Sequence, residues 1–182
     1  LNQDDFIEFV LDREARVVHL DARDPGGQTA WGISRRYNPA WSGWELVDKG
    51  VVDGPEFEAA VRDFYWRLLN FYWQSMKPRL REAFCDALVN MGPGKKGDRV
   101  HGAVELLQHA MNRLAGAGYV EVDGVFGRQT RAALKSVDAS ALAFCLCAYR
   151  QAEYAKRARN ESSMRWALDG WMNRVFLLME AI

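Results

Sequence analysis

The sequence predicts a mainly α-helical protein with one small β element near its N-terminus. Three observations lead there. Apolar residues recur at helical spacing through most of the chain. A single stretch near residue 25 loses that period and carries a strong turn signal, Asp24-Pro25-Gly26-Gly27. Glycine and proline punctuate the rest at intervals that suit helices of 10 to 20 residues.

Taken in order, Phe6, Ile7, Val10 and Leu11 follow the cap candidates Asn2 and Asp4, which gives an amphipathic helix ending near Glu14. Val17-Val18 and Thr29 to Ile33 flank the turn signal and read as a hairpin. Residues 38–54, rich in Asn, Pro, Gly and Trp, read as loop. Pro55 then occupies a first helical position with Glu56 and Glu58 in the first turn, and Phe57, Val61, Phe64, Leu68 and Tyr72 form a stripe that stops before Pro78. Further helices are expected over Glu82 to Met91, around Val104 to Leu114, over Arg131 to Leu134, over 138–157 and from Trp166 to the end. Leu142, Phe144, Leu146 and Tyr149 make the 138–157 helix apolar on several sides, as a central helix would be. No Pro/Ser-rich linker interrupts the chain, so one compact unit over 1–182 is expected, in which segment 1–84 holds Glu14 and the hairpin and segment 85–182 is helical.

Composition excludes several functions. With 182 residues, 49% hydrophobic, the chain can bury a core. Twenty-four basic and 24 acidic side chains cancel, so nothing draws it onto nucleic acid. The halves differ, net −4 over 1–94 and +4 over 95–182, which suits an anionic polymer against the second half. Seven Trp, six Tyr and nine Phe offer more aromatic surface than packing requires, and ring faces are good platforms for sugars. No run reaches the ~20 apolar residues that span a bilayer, so no stable membrane insertion is expected. The first residue is Leu rather than Met, which leaves room for a preceding targeting or anchor segment, and localisation is not readable from the chain. Three cysteines, two of them at 145 and 147 of one helix, read as free buried thiols. Gly92 and Gly97 have phosphate-loop spacing, but Asp98-Arg99 follow where Lys and Ser/Thr are needed. His19, His101 and His109 lack metal-ligand spacing, and no G-x-S-x-G elbow is present. No cofactor or metal is expected.

Glu14 carries the most information. It lies three, four and seven residues after Leu11, Val10 and Ile7, on the edge of the buried face. Partial burial disfavours the charged form of a carboxyl, which is what a general acid requires. An exposed Glu paired with Arg13 or Arg16 is the plainer reading. Ten residues on, Asp24 and then Thr29 supply a second carboxylate and a hydroxyl able to hold water, the parts of acid-catalysed glycoside hydrolysis.

Glu14 followed by Asp24-Pro25-Gly26-Gly27-Gln28-Thr29-Ala30-Trp31-Gly32-Ile33 resembles the N-terminal signature of glycoside hydrolase family 108, the phage and prophage endolysins that cleave peptidoglycan. Asp86 to Gly94, Leu107-Gln108 and Asp123 to Thr130 are similar to the peptidoglycan-binding-type segment that follows in that family, and Gly170 to Val175 resembles its closing motif. The resemblance implies a lysozyme-like fold and a muramidase cutting the β-1,4 bond between N-acetylmuramic acid and N-acetylglucosamine. It implies Glu14 as the acid and Asp24 and Thr29 as its partners, with bacterial peptidoglycan as substrate in the periplasm and a monomer as the working unit. Trp31 and Tyr37 are candidate sugar platforms and Asn90 a candidate cleft residue; the plainer roles are a core Trp and a helix-terminal cap. The chain departs from the family where Glu14 is followed by Ala15-Arg16-Val17 rather than two glycines and an aromatic. One extra residue before Asp24 leaves Asp21 as its competitor. A lytic transglycosylase, a chitin- or chitosan-cleaving enzyme on the same fold, and an inactive wall-binding module are the alternatives.

Overall fold

The computed structural model describes residues 1–20, 27–94 and 101–182, and the chain divides into two compact units, Asn2–Asn70 and Phe71–Ile182.

In the first unit, α1 (Gln3–Arg13) starts at Asn2, whose side chain accepts from the Asp5 amide at 2.9 Å. It buries Phe6, Ile7, Val10 and Leu11, the predicted face. Glu14 caps it, its N–H bonding Val10 O at 3.1 Å. The β element is a three-stranded antiparallel sheet, β1 (Val18–Leu20), β2 (Gln28–Ala30) and β3 (Ile33–Ser34), with Val18 opposite Ala30 and Ala30 opposite Ile33. The stretch Thr29 to Ile33 is therefore not one strand. Trp31 and Gly32, both at positive φ (45° and 81°), fold it into a two-residue hairpin turn of the kind whose twist matches paired strands.

Residues 38–54 are not all loop. A short helix α2 (Gly43–Asp48) forms there because Trp41 lies across Gly43, where an added Cβ would sit 2.2 Å from the indole. Trp44 is buried beside it and donates its indole N–H to Asn38 O at 2.7 Å. Arg35 grips Asp48 through two hydrogen bonds of 2.6 and 2.7 Å and Gln28 at 2.8 Å, tying the sheet to α2. The long helix α3 (Gly54–Ser75) buries Phe57, Val61, Tyr65 and Leu69, a strict four-residue row, so Leu68 of the predicted stripe is exposed. A row at i+4 drifts slowly around the helix and follows a neighbour that crosses it obliquely.

In the second unit, α7 (Ala139–Asn160) is the central helix, packed by α4 (Leu80–Met91), α5 (Ala103–Ala115) and α8 (Leu168–Ala181). Asp138 caps it, accepting from the Ala141 amide at 2.8 Å. Its buried residues include Leu142, Leu146 and Tyr154, whereas Phe144 faces outward. The expected helix from Trp166 instead opens as a 3-10 turn, Ser162–Ala167, with Trp166 exposed, and α8 begins at Leu168. A short α6 (Arg128–Ala133) follows a loop clamped by buried Gln108. Gln108 accepts from the Asp123 and Gly124 amides at 3.1 and 3.0 Å and donates to Asp123, Val125 O and Thr130. Gly94 and Gly102 touch backbone to backbone, with no room for a Cβ on either.

One ion cluster is wholly internal to this unit. Asp86 on α4 receives Arg150 of α7 at 2.6 Å and Arg174 of α8 at 2.8 Å. Arg174 thus joins the last helix to the core, and Trp171 stacks on Tyr154 with ring centroids 5.0 Å apart, while Asn173 is exposed. The three cysteines are free, Cys85 and Cys147 being buried. Burial pushes the Cys85 thiol up, and that of Cys147 up to about 11, so neither is poised as a nucleophile.

Candidate active site

Glu14 stands where α1 ends and the chain turns into the sheet. Ala15 takes the left-handed conformation (φ 55°), reversing the chain, and Val17 O then accepts from the Trp31 amide at 2.9 Å. That bond draws the β2–β3 turn toward the end of α1. The turn and the acid meet at Gly32, where an added Cβ would lie 2.4 Å from Glu14 Oε2, 2.9 Å from Glu14 Cβ and 2.6 Å from the Tyr65 hydroxyl. Glycine is required here for two reasons, φ of 81° and the carboxyl lying against its Cα. Glu14 is half-buried, which places it at the rim of the core as its spacing predicts.

Tyr65 is the residue that sequence reasoning missed. Its hydroxyl donates to Trp31 O at 2.7 Å, holding the turn from below. The only sequence signal was its place in the four-residue row from Phe57, which reads as packing.

Charges beside the acid are arranged in a lattice between α1 and α3. Arg16 pairs with Glu8, with Asp12 at 3.3 Å and with Glu58 at 3.8 Å, and Arg62 pairs with Glu8 and with Glu58 at 2.7 Å. Both arginines are thereby engaged by carboxylates that lie on these two helices. The Arg16 guanidinium also sits 5.4 Å from the Trp31 ring centre.

The other candidates fall in different places. Thr29 is nearly buried on β2, opposite His19 and Ser34, and its hydroxyl donates to Gly27 O at 3.3 Å. Trp31 occupies the core position that was its plainer reading, 5% exposed and edge-on to Phe57. Tyr37 is 67% exposed, with Arg36 alongside its ring. Asn90 belongs to the second unit, where it accepts a hydrogen bond from Tyr154. Asp24, like its competitor Asp21, lies outside the described residues. Among the described residues no group of three or more His, Cys, Asp or Glu is placed to hold a metal. No helix among them is long and apolar enough to cross a membrane.

Comparison with known families gives the chemistry a frame. Residues 7–92 match the model for Glycosyl hydrolase 108. This segment belongs to glycoside hydrolase family 108. It holds Glu14, the sheet and α4, and so runs from the first unit into the second. Residues 102–176 match a second model, Predicted Peptidoglycan domain. Together the two make the chain a glycoside hydrolase that acts on peptidoglycan. A solved structure, that of Brucella abortus SagA, is similar with a TM-score of 0.69 and 23% identity, covering 98% of this chain and 92% of that one. At that identity it shows the shared fold, which is lysozyme-like and mainly α with a small antiparallel sheet. No curated protein matches.

Proposed function

We propose that this family 108 enzyme is a muramidase, cleaving the β-1,4 bond between N-acetylmuramic acid and N-acetylglucosamine with Glu14 as the general acid. The observation that carries the reading is the Glu14 carboxyl lying against Gly32 at the tip of a hairpin turn. The missing side chain at Gly32 leaves room for the carboxyl against the turn, and a carboxylic acid held there is placed to hand a proton to a leaving glycosidic oxygen. Asp24 follows in the chain as the second carboxylate, stabilising positive charge at the anomeric carbon or activating water. Thr29 helps to place that water, and Tyr37, exposed beside Arg36, offers a ring to a sugar.

The order of events is then proton transfer from Glu14 to the bridging oxygen, cleavage of the bond to the anomeric carbon, and capture of that carbon by water deprotonated at Asp24. The enzyme works as a monomer in the manner of an endolysin, of phage or prophage origin, acting on the wall from the periplasmic side and lysing its host.

The test is clearing of purified Gram-negative sacculi by the wild type and by Glu14→Gln, with mass analysis of the fragments. Clearing by the wild type alone, with reducing N-acetylmuramic acid ends, is the expected result. Anhydro ends would make the enzyme a lytic transglycosylase, and clearing by Glu14→Gln would remove Glu14 from the acid's role.

A further inference from the structure

The hairpin turn that meets Glu14 is held from outside itself. Trp31 sits at positive φ (45°), a region that residues with a side chain enter only at a cost. Its N–H donates to Val17 O at 2.9 Å, and its ring is buried edge-on to Phe57. Its carbonyl accepts from the Tyr65 hydroxyl at 2.7 Å in a buried bond. Val17 and Phe57 fix the residue as a whole, whereas Tyr65 fixes something narrower. The oxygen it holds belongs to the peptide that joins Trp31 to Gly32, the central peptide of the turn.

A two-residue hairpin turn has two favoured forms, one with positive φ at both central residues and one with positive φ at the first alone. Rotation of the central peptide converts one into the other. Here Trp31 and Gly32 both have positive φ, 45° and 81°. In the other form φ of Gly32 would change sign, and Trp31 O would turn to the opposite face, away from Tyr65. Glycine at the second position accepts either form, so the residues of the turn do not themselves select one. The selection comes from α3, because Tyr65, 2% exposed, is packed in the core and cannot follow the carbonyl to the other face.

The face of Gly32 that this choice presents is the one that carries the acid. A Cβ there would lie 2.6 Å from the Tyr65 hydroxyl, 2.4 Å from Glu14 Oε2 and 2.9 Å from Glu14 Cβ, so the phenol oxygen and the carboxyl flank one point. With Cβ and Oε2 both against it, the Glu14 side chain folds over Gly32. The phenol holds the peptide plane, the plane sets Gly32, and Gly32 is the surface on which the carboxyl rests. On the reading of Glu14 as the acid, we infer that Tyr65 is a positioning residue for proton transfer, holding the central peptide of the turn in the one form that seats the Glu14 carboxyl. Its effect falls on delivery of the proton to the leaving oxygen and leaves sugar binding alone.

The test is kcat and KM for soluble glycan strands and for the aryl β-glycoside of the same oligosaccharide, whose phenolate leaves without a proton, with melting temperatures alongside. Tyr65→Phe keeps the ring and removes the hydroxyl. Its kcat on strands is expected to fall about tenfold, the scale of one buried carbonyl left unpaired, with KM little changed and turnover of the aryl glycoside close to wild type. Val61→Ala, one turn earlier on the same buried row, opens a cavity and is expected to lower Tm without changing the ratio between the two substrates. In a Gly32→Ala background, where the seat is already lost, Tyr65→Phe is expected to add little. A Tyr65→Phe enzyme that loses both substrates alike, or changes KM in place of kcat, would overturn the inference. Glu14→Gln measured alongside separates the two readings. If it cleaves strands as the wild type does, Glu14 is not the acid; if it is dead on strands and cleaves the aryl glycoside while Tyr65→Phe treats both substrates alike, only the role of Tyr65 fails.

Discussion

The carboxyl of Glu14 lies against Gly32, with Oε2 only 2.4 Å from where a Cβ on that glycine would stand. The acid's position is therefore set by the absence of a side chain eighteen residues away. Gly32→Ala puts a methyl into that space and into a backbone region L-residues rarely adopt. The carboxyl must then rotate or the turn must lift. With Glu14 as the proposed general acid, activity on sacculi is expected to fall by about 10²-fold, the scale of a 1 Å misplacement in a reacting site. The control is Gly50→Ala, at the same φ of 81° with nothing within 4 Å of its Cβ. It should lose similar stability, about 1–2 kcal/mol, and keep its activity. Equal loss of activity in both variants would mean that turn strain, and not contact with Glu14, is what matters at Gly32.

Ala15 stores strain beside the acid. With φ at 55° it ends α1 in the left-handed conformation, where glycine is the usual residue and alanine costs about 1–2 kcal/mol. Its side chain is exposed, so nothing is lost by removing the methyl. Ala15→Gly is expected to stabilise the protein by about 1 kcal/mol after the added chain entropy of glycine is set against the relieved strain, a rise of roughly 2–4 °C in Tm. Calorimetry checks it. A fall in Tm would show that the surrounding hydrogen bonds, Val17 N–H to Ala15 O at 2.6 Å among them, hold the alanine without strain.

These two positions also show what the sequence displays and what it hides. Glu14 was legible because the face that precedes it, Ile7, Val10 and Leu11, is local, and a helix fixes where the next residue on that face must point. The left-handed turn at Ala15 and the carboxyl's contact with Gly32 were not legible, since both depend on where the sheet folds back. Trp31-Gly32 was read as strand because it lies in the stretch that follows the Asp24-Pro25-Gly26-Gly27 turn signal, and a non-glycine at the first position of such a turn carries no warning. Tyr65 lay outside the stripe read for α3, which passed through its neighbour Phe64 instead. Helix α2 was hidden for a similar reason, Gly43 reading as a breaker when it is the seat of the Trp41 ring. In the second unit the helices were legible one by one from their spacing. Their ion cluster was not, because Asp86 meets Arg150 and Arg174 at separations of 64 and 88 residues. No local pattern encodes such a meeting.

That cluster governs how the fold responds to acid. Burial pushes the Asp86 carboxyl up, but the charges of Arg150 and then Arg174, with hydrogen bonds from both, more than offset it and hold the group below the ordinary Asp range. A carboxyl lowered in the folded state contributes stability that is complete above its unfolded value, about 3.9. The contribution drains away as pH falls from there through the lowered folded value. Asp86→Asn leaves two buried guanidinium groups without their counter-charge, and breaking a buried pair in this way costs about 3–5 kcal/mol. Its deficit against the wild type, measured by urea unfolding, should therefore be full at pH 5 to 7 and shrink below about pH 4, where protonation of the wild-type carboxyl removes the same charge. A deficit that stays constant down to pH 2 would place the cost in packing, with the ion cluster contributing nothing to acid sensitivity.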